Sequence, residues 1–247
     1  QYNKKDTLSA KNDPWINDAE KTITLSSNLY SAKISNRGGG LLKRWALRKY
    51  KNPHDDDVNF INSTKNINIS FIYHDQTINL NDAVFRCSSP DSAIDLEKEK
   101  KWTVSYYLLF DKDKKIVQTY TFYNDNYHFD LNVEFENFGD DISNSEYQLQ
   151  WLGGLTPTEK DNASDLTYFK AYSLLGDEKE EFDLGNKSSD EASFTGLTKW
   201  VASRTKYFGL YMIPKSKDGI GCKFTGQSIV ENGVTKQKDN VTALSMK

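Results

Sequence analysis

The alternation of apolar and polar residues is strictest between positions 127 and 136, where every odd position is apolar and every even one is polar or charged. Alternation with a period of two places all the apolar side chains on one face of a β-strand. Residues 102–110 and 115–123 carry related patterns, and the polar segments 111–114 and 124–126 have the length and composition of turns. This spacing predicts three neighbouring strands of an antiparallel meander.

Short strand-like runs recur along most of the chain, at residues 67–73, 146–152, 166–174, 206–213 and 220–225. The best candidate for a helix, residues 93–101, is short and mostly charged. Many short strands with almost no helical periodicity between them favour an antiparallel sandwich over alternating strand and helix units. We therefore expect an all-β fold with one or two short helices.

The organisation of the chain predicts an N-terminal arm followed by a single domain. Residues 1–21 contain few aliphatic side chains and no clear period, which is typical of a tether or a poorly ordered arm. Residues 22–247 show no internal repeat and no convincing linker, so we expect one domain there. Within it, glycine and proline mark residues 153–162 as a loop, and the acidic residues 176–196 suit an exposed hairpin.

A glycine-rich stretch at residues 35–50, SNRGGGLLKRWALRKY, has two interpretations. On helical spacing its apolar and basic residues separate onto two faces, as in a helix that lies on a membrane surface. Three glycines, however, supply the positive φ angles of a sharp reversal or a bulge. We favour two strands joined by a glycine turn, with Leu41, Trp45 and Leu47 pointing inward and Lys43 as the exception.

Composition and charge narrow the function classes. Apolar residues make up 37% and aromatic residues 13% of the 247 positions, which is enough for a core built largely from rings. A formal net charge of −3 does not fit a nucleic-acid-binding protein, which needs a strongly basic face. No run of 18–20 apolar residues occurs that would span a membrane. Cys87 and Cys222 lack metal-site spacing, and we interpret them as two separate thiols, although a disulfide stays open.

Candidate chemistry is sparse. His54, His74 and His128 fall in three unrelated places, and no serine elbow, phosphate loop or dinucleotide motif occurs. The segment His54-Asp55-Asp56-Asp57 could hold a hard cation, but it lacks the glycine and terminal glutamate of a calcium loop. We therefore expect no catalytic, cofactor-binding or metal-ligating residue, and no enzyme activity. Four tryptophans lie among aliphatic residues and are expected in the core: Trp45, Trp102, Trp151 and Trp200.

Several segments carry a resemblance to a known family. The first is Gly38-Gly39-Gly40 after a basic residue, followed by a lysine-rich apolar strand. The second and more specific is Trp200-Val201-Ala202, four residues, Tyr207-Phe208, four residues, then Ile213-Pro214. Together with residues 157–182, these segments resemble the large periplasmic domain of the YidC family of membrane protein insertases. The match then assigns Trp200, Tyr207 and Phe208 to the fold, and we expect all three in the core.

The resemblance implies a galactose-mutarotase-like β-supersandwich that does not catalyse a reaction. It implies a bacterial periplasmic location, in a protein anchored in the inner membrane by segments outside this sequence. The implied role is a docking or scaffold surface during membrane protein insertion, with the Sec translocon's accessory proteins and extended client polypeptides as partners. A monomer is expected, and the domain is expected to continue beyond residue 247 with a last strand or a connecting helix.

Two other functions stay open. The same fold class includes carbohydrate-binding modules and aldose epimerases, and an epimerase would need histidines and a carboxylate in one cleft. The basic residues between positions 43 and 51 could instead lie against a lipid surface.

Overall fold

The computed structural model describes residues 19–61, 66–231 and 234–247, with the backbone alone for Asn162, for residues 230–231 and for residues 234–239. Residues 1–18 of the predicted arm lie outside this range. Eighteen strands are described: β1 (Thr22–Ser26), β2 (Tyr30–Ser35), β3 (Leu41–Lys51), β4 (Asp57–Asn59), β5 (Ile67–Tyr73), β6 (Gln76–Asn79), β7 (Arg86–Cys87), β8 (Ala93–Asp95), β9 (Lys101–Asp111), β10 (Lys114–Tyr123), β11 (Phe129–Glu136), β12 (Ile142–Trp151), β13 (Lys170–Leu175), β14 (Glu178–Asp183), β15 (Ser189–Arg204), β16 (Gly209–Met212), β17 (Gly219–Glu231) and β18 (Val234–Met246). The helix α1 (Asn162–Leu166) and a 3-10 turn at Gly139–Asp141 complete the described elements.

Three sheets make up the fold. The first has the order β4-β3-β2-β1-β8, and the second has the order β11-β10-β9-β7. The third has nine strands in the order β14-β13-β15-β17-β18-β12-β5-β6, with β16 paired to β15 beside this path. All described strand pairs are antiparallel except β1 with β8. The all-β antiparallel sandwich predicted from the alternating pattern is confirmed.

The predicted meander is the second sheet. Strand β10 pairs with β9 on one side and with β11 on the other, in long and nearly regular ladders. The alternating apolar residues of β11 pack against the core, and the acidic residues between them lie on the other face. Tight turns connect these strands because the intervening segments are short and polar.

Aromatic rings join the sheets into one body. Tyr30 on β2 stacks on Trp45 of β3 at a centroid distance of 4.3 Å, and Trp45 meets Phe129 of β11 at 5.5 Å. Phe71 on β5 lies 5.3 Å from Phe135 of β11. The first and third sheets therefore both pack against the second. A smaller cluster lies within the third sheet, formed by Ala171, Phe182, Val201, Cys222, Phe224 and Leu244.

The glycine stretch forms a turn followed by a strand, as we favoured. Gly38, Gly39 and Gly40 have φ angles of +64°, +71° and +136°, and β3 starts directly after them. The register shifts where Lys33 faces Arg44 and Ile34 faces Leu42, which leaves Lys43 as the extra residue of a β-bulge. Leu41, Trp45 and Leu47 are buried as predicted, and Leu42 is buried as well and joins Trp45 and Leu47 in the larger core cluster.

Two local predictions were wrong. Residues 93–101 are not a helix, because residues 93–95 form β8 and Lys101 already begins β9. A one-turn helix lies instead at Asn162–Leu166, where Asp161 caps it by accepting the N–H of Ser164. The exposed hairpin expected at residues 176–196 is built into the third sheet as β14 and part of β15, and Phe182 is buried.

Candidate docking surface

The second motif segment forms a hairpin at the margin of the third sheet. Val201 on β15 faces Met212 on β16, and Arg204 faces Gly209, so the two strands run antiparallel through a four-residue turn. Val201 is fully buried, and Met212 packs against both hydrophobic clusters. Side chains alternate along a strand, so Tyr211 points to the opposite, outer face.

The outer face of β13, β15 and β16 is apolar. Leu174 faces Trp200 across the ladder, and Tyr172 and Tyr211 flank Ala202 on its two sides. Directly opposed residues share a face of the sheet. Leu197, Tyr211 and Ile213 are 64%, 61% and 63% exposed. We refer to this surface as the docking face, formed by Tyr172, Leu174, Leu197, Trp200, Tyr211 and Ile213.

The rings of the docking face are held in place by contacts with one another. Trp200 and Tyr211 meet edge to face at a centroid distance of 5.7 Å. The ammonium of Lys179 lies 5.0 Å above the ring of Tyr172. Aromatic pairs of this geometry and ammonium groups above rings are both attractive arrangements. Ala202 is buried between the larger side chains, which therefore cover the sheet at this point.

Paired charges border the docking face on the side of β14. Lys170 lies 3.1 Å from Asp183 and also binds Glu181, the residue opposite Tyr172. The hydrogen bond from Lys170 is the main cause of the lowered pKa of Glu181. An apolar centre with a polar, internally satisfied rim is the usual anatomy of a protein interface.

Strand β16 also presents a backbone edge. It pairs with β15 on one side, and none of the other described strands pairs with its second side. Such an edge carries free backbone donors and acceptors that an extended segment can meet. Pro214 follows shortly afterwards and cannot donate a hydrogen bond, which limits the length of this edge.

The turn between β15 and β16 is anchored by a buried carboxylate. Asp165 of α1 is fully buried and accepts the backbone N–H of Thr158 at 2.9 Å and that of Lys206 at 3.3 Å. The ammonium of Lys206 lies 5.6 Å from the ring centroid of Tyr168 and 5.1 Å from that of Tyr207. Two segments that carried the family resemblance therefore meet here.

The predictions for the aromatic residues of the motif were only partly right. Phe208 packs against the core as expected, but Tyr207 is 63% exposed, because it sits in the β15–β16 turn. Trp45 and Trp151 are buried, whereas Trp102 and Trp200 are only half-buried. Residues 210–213 are four consecutive apolar or aromatic residues, and this run in the sequence could have indicated a strand with apolar side chains on both faces.

The histidines lie in three separate turns of the described chain. Each is exposed; among the described acidic side chains, His74 approaches Asp141 at 3.7 Å and His128 approaches Asp130 at 3.9 Å. The three histidines therefore do not come together as the pair that an epimerase would need.

The acidic segment next to His54 lines an open polar pocket of about 520 Å³ together with Arg44, Lys51 and Asn59. Lys51 lies 2.8 Å from Asp57, and its hydrogen bond is the first cause of the lowered pKa of Asp57, with Arg44 and Arg48 contributing. Among the described residues, no group of three or more histidine, cysteine or acidic side chains could hold a metal ion. Lys51 therefore neutralises Asp57 at this pocket.

The two cysteines are free thiols, as we interpreted them. Cys87 is half-buried on β7, whereas Cys222 is buried in the smaller cluster of the third sheet. Burial raises the pKa of the Cys222 thiol. Cys222 therefore lacks the exposed surroundings of a reactive cysteine.

Comparison with known proteins gives the family. The model of the YidC periplasmic domain matches residues 22–245. The chain belongs to this family. It is 30% identical over 230 residues to the membrane protein insertase YidC of Prosthecochloris aestuarii, covering 90% of this chain and 39% of that protein. It is 32% identical over 206 residues to the same insertase of Chlorobaculum tepidum, covering 81% of this chain and 35% of that protein.

The chain spans well under half the length of the curated relatives that it matches. Within the described part of the chain, no helix has both the length and the apolar character needed to cross a bilayer.

Proposed function

We propose that this chain is the periplasmic docking and scaffold domain of a membrane protein insertase located in a bacterial inner membrane. Its relatives carry the name membrane protein insertase YidC, which supports the insertase assignment. The observation that carries the docking role is the exposed apolar face around Trp200, Tyr211 and Ile213. Monomeric soluble proteins seldom expose a contiguous apolar patch of this kind without a partner.

The partners that we propose are accessory proteins of the Sec translocon and extended client polypeptides. Tryptophan and tyrosine contribute much of the free energy of binding at protein interfaces, and both lie at the centre of the docking face. An extended segment could pair with the free edge of β16 and place alternate side chains on Tyr211 and Ile213. The rigid sandwich behind this face would keep it in shape without catalysing a reaction.

The test replaces the exposed apolar side chains in the full-length insertase. Tyr211→Ser with Ile213→Ser is expected to reduce the recovery of translocon components in affinity purification at least fivefold. The matched control, Tyr127→Ser with Ile72→Ser, removes one tyrosine and one isoleucine of substantial exposure elsewhere and should leave recovery unchanged. Equal recovery with the docking-face variant and the wild type would count against the docking role.

A carbohydrate-binding module is the second candidate, favoured by the exposed ring of Tyr211 against Trp200. Sugar rings stack on aromatic faces of this kind, so a glycan array separates the two functions. Glycan binding that the Tyr211→Ser variant loses would support the carbohydrate module. No binding across the array would remove it.

A further inference from the structure

The outer face of the first sheet carries basic side chains that form no close ion pair with the described acidic residues. Trp45 and Leu47 point into the core, so their neighbours Arg44 and Arg48 on β3 point outward. Lys33 on β2 lies directly opposite Arg44 in the ladder. Like charges in directly opposed positions destabilise a sheet. We call this surface the basic face, formed by Lys33, Arg44 and Arg48.

The acidic residues of the same face are already paired with other lysines. Asp57, at one edge, lies 2.8 Å from Lys51, and Asp95, at the other, lies 3.3 Å from Lys98. Within residues 19–61, 66–231 and 234–247, none of the three basic side chains forms an ion pair within 4.0 Å. Lys43, the bulge residue next to Arg44, is by contrast paired with Glu20 at 2.9 Å. The three positive charges thus have no ion-pair partner within 4.0 Å in the described part of the chain, and Asp57 attracts Arg44 and Arg48 only from a longer distance.

Hydroxyl groups hold the two guanidinium groups against the sheet. Arg48 Nη2 donates to Ser26 Oγ at 2.7 Å, and Arg44 Nε donates to Ser31 Oγ at 3.3 Å. Each guanidinium keeps further N–H donors for a partner outside the protein. The positions between them are occupied by small side chains such as Thr24 and Ser31, so the face suits a flat partner.

Two tyrosines with substantial exposure lie at the end of β3, where Tyr50 also packs edge to face on Phe208 of the β15–β16 turn. Tyr50 is 46% exposed and Tyr127 is 40% exposed, and their ring centroids are 6.4 Å apart. Lys49, also exposed, extends the positive charge to this end of the strand. Tyrosine next to basic residues is the composition that favours the headgroup region of a bilayer.

We propose that the basic face binds the anionic phospholipid surface of the membrane next to which the insertase works. Charge complementarity identifies the partner, since phosphate groups match the free guanidinium donors and a bilayer matches the flatness of the face. The chain as a whole carries a net charge of −3, so any attraction to anionic lipid must come from a local patch. This contact is separate from the docking face, which lies on the third sheet.

Vesicle flotation tests the proposal with the chain as it stands. At low salt, the protein should float with phosphatidylcholine vesicles that contain about 30% phosphatidylglycerol, and it should stay behind with phosphatidylcholine alone. Arg44→Gln with Arg48→Gln should weaken partitioning about thirtyfold, equivalent to about 1 kcal/mol for each charge. The control Lys160→Gln with Lys217→Gln removes two exposed lysines from other loops and should bind like the wild type.

A second variant separates charge from folding. Arg44→Lys with Arg48→Lys keeps both charges and should retain most of the binding. Equal loss in the glutamine variant and in the loop control would overturn the proposal, as would binding that 0.5 M salt leaves intact. Binding to soluble polyglutamate without binding to vesicles would assign the face to an acidic protein instead.

Discussion

At the scale of single residues, the glycine turn before β3 is limited by space as well as by backbone conformation. A Cβ atom on Gly40 would overlap the ring of Tyr120, and one on Gly39 would lie 2.9 Å from Phe85. Tyr120 is fully buried and has no room to move away. The turn therefore brings the backbone against the core ring, which only glycine allows.

Gly40→Ala should lower the free energy of unfolding by about 3 kcal/mol or more, because overpacking adds to the strain of a positive φ. Gly185→Ala is the control, since Gly185 has a φ of +55° but no atom within 4 Å of an added Cβ. Urea denaturation of both variants measures the difference. An equal loss in the two variants would mean that backbone strain alone accounts for the effect.

At the scale of elements, sequence reasoning succeeded where one face of a strand is buried. The ten-residue alternation around β11 fits a single strand register, because shifting the strand by one residue would move every apolar side chain to the exposed face. It failed at β8, where three strand residues are followed by a charged turn and no periodic signal remains. It was right that Leu41 is buried, but it missed Leu42 as a member of the core cluster, since the bulge at Lys43 depends on pairing with β2.

The docking face was missed for a related physical reason. A half-exposed tryptophan and a buried one look alike in sequence, and burial depends on which strands lie above each face. In the third sheet, β12 and β5 follow β18 in the strand order, and both are covered by the second sheet. The outer side of β15 and β16 is not covered by it. Only the strand order distinguishes these two environments.

The Asp165 anchor leads to a prediction at this scale. Asp165→Asn places an amide N–H₂ against one of two backbone N–H donors, leaving a buried donor unsatisfied. We expect a loss of about 1–3 kcal/mol in unfolding free energy and faster proteolysis of the loop at residues 153–161. Asp161→Asn is the control, because asparagine caps a helix as well as aspartate does. Unchanged proteolysis in Asp165→Asn would contradict the anchoring role.

At the scale of the whole molecule, the two hydrophobic clusters could unfold together or separately. The third sheet contributes β5 and β12 to the larger cluster, and β13 to β15, β17 and β18 to the smaller one. The ladder between β12 and β18 is continuous over five residue pairs, and Met212 contacts both clusters. The hydrogen-bonded sheet thus crosses the boundary between the clusters, which favours a single cooperative unit.

Phe224→Ala tests this cooperativity, since Phe224 is fully buried in the smaller cluster. Removing the ring should reduce the unfolding free energy by about 3–5 kcal/mol. If the sheet couples the clusters, amide hydrogen exchange in β9 and β10 should accelerate by the same free energy as exchange in β17, although the mutation lies in another sheet. Phe122→Ala, in the larger cluster, should produce the reciprocal pattern. Protection that persists in β9 and β10 while β17 exchanges freely would show that β12 and β18 separate, and that the smaller cluster opens by itself.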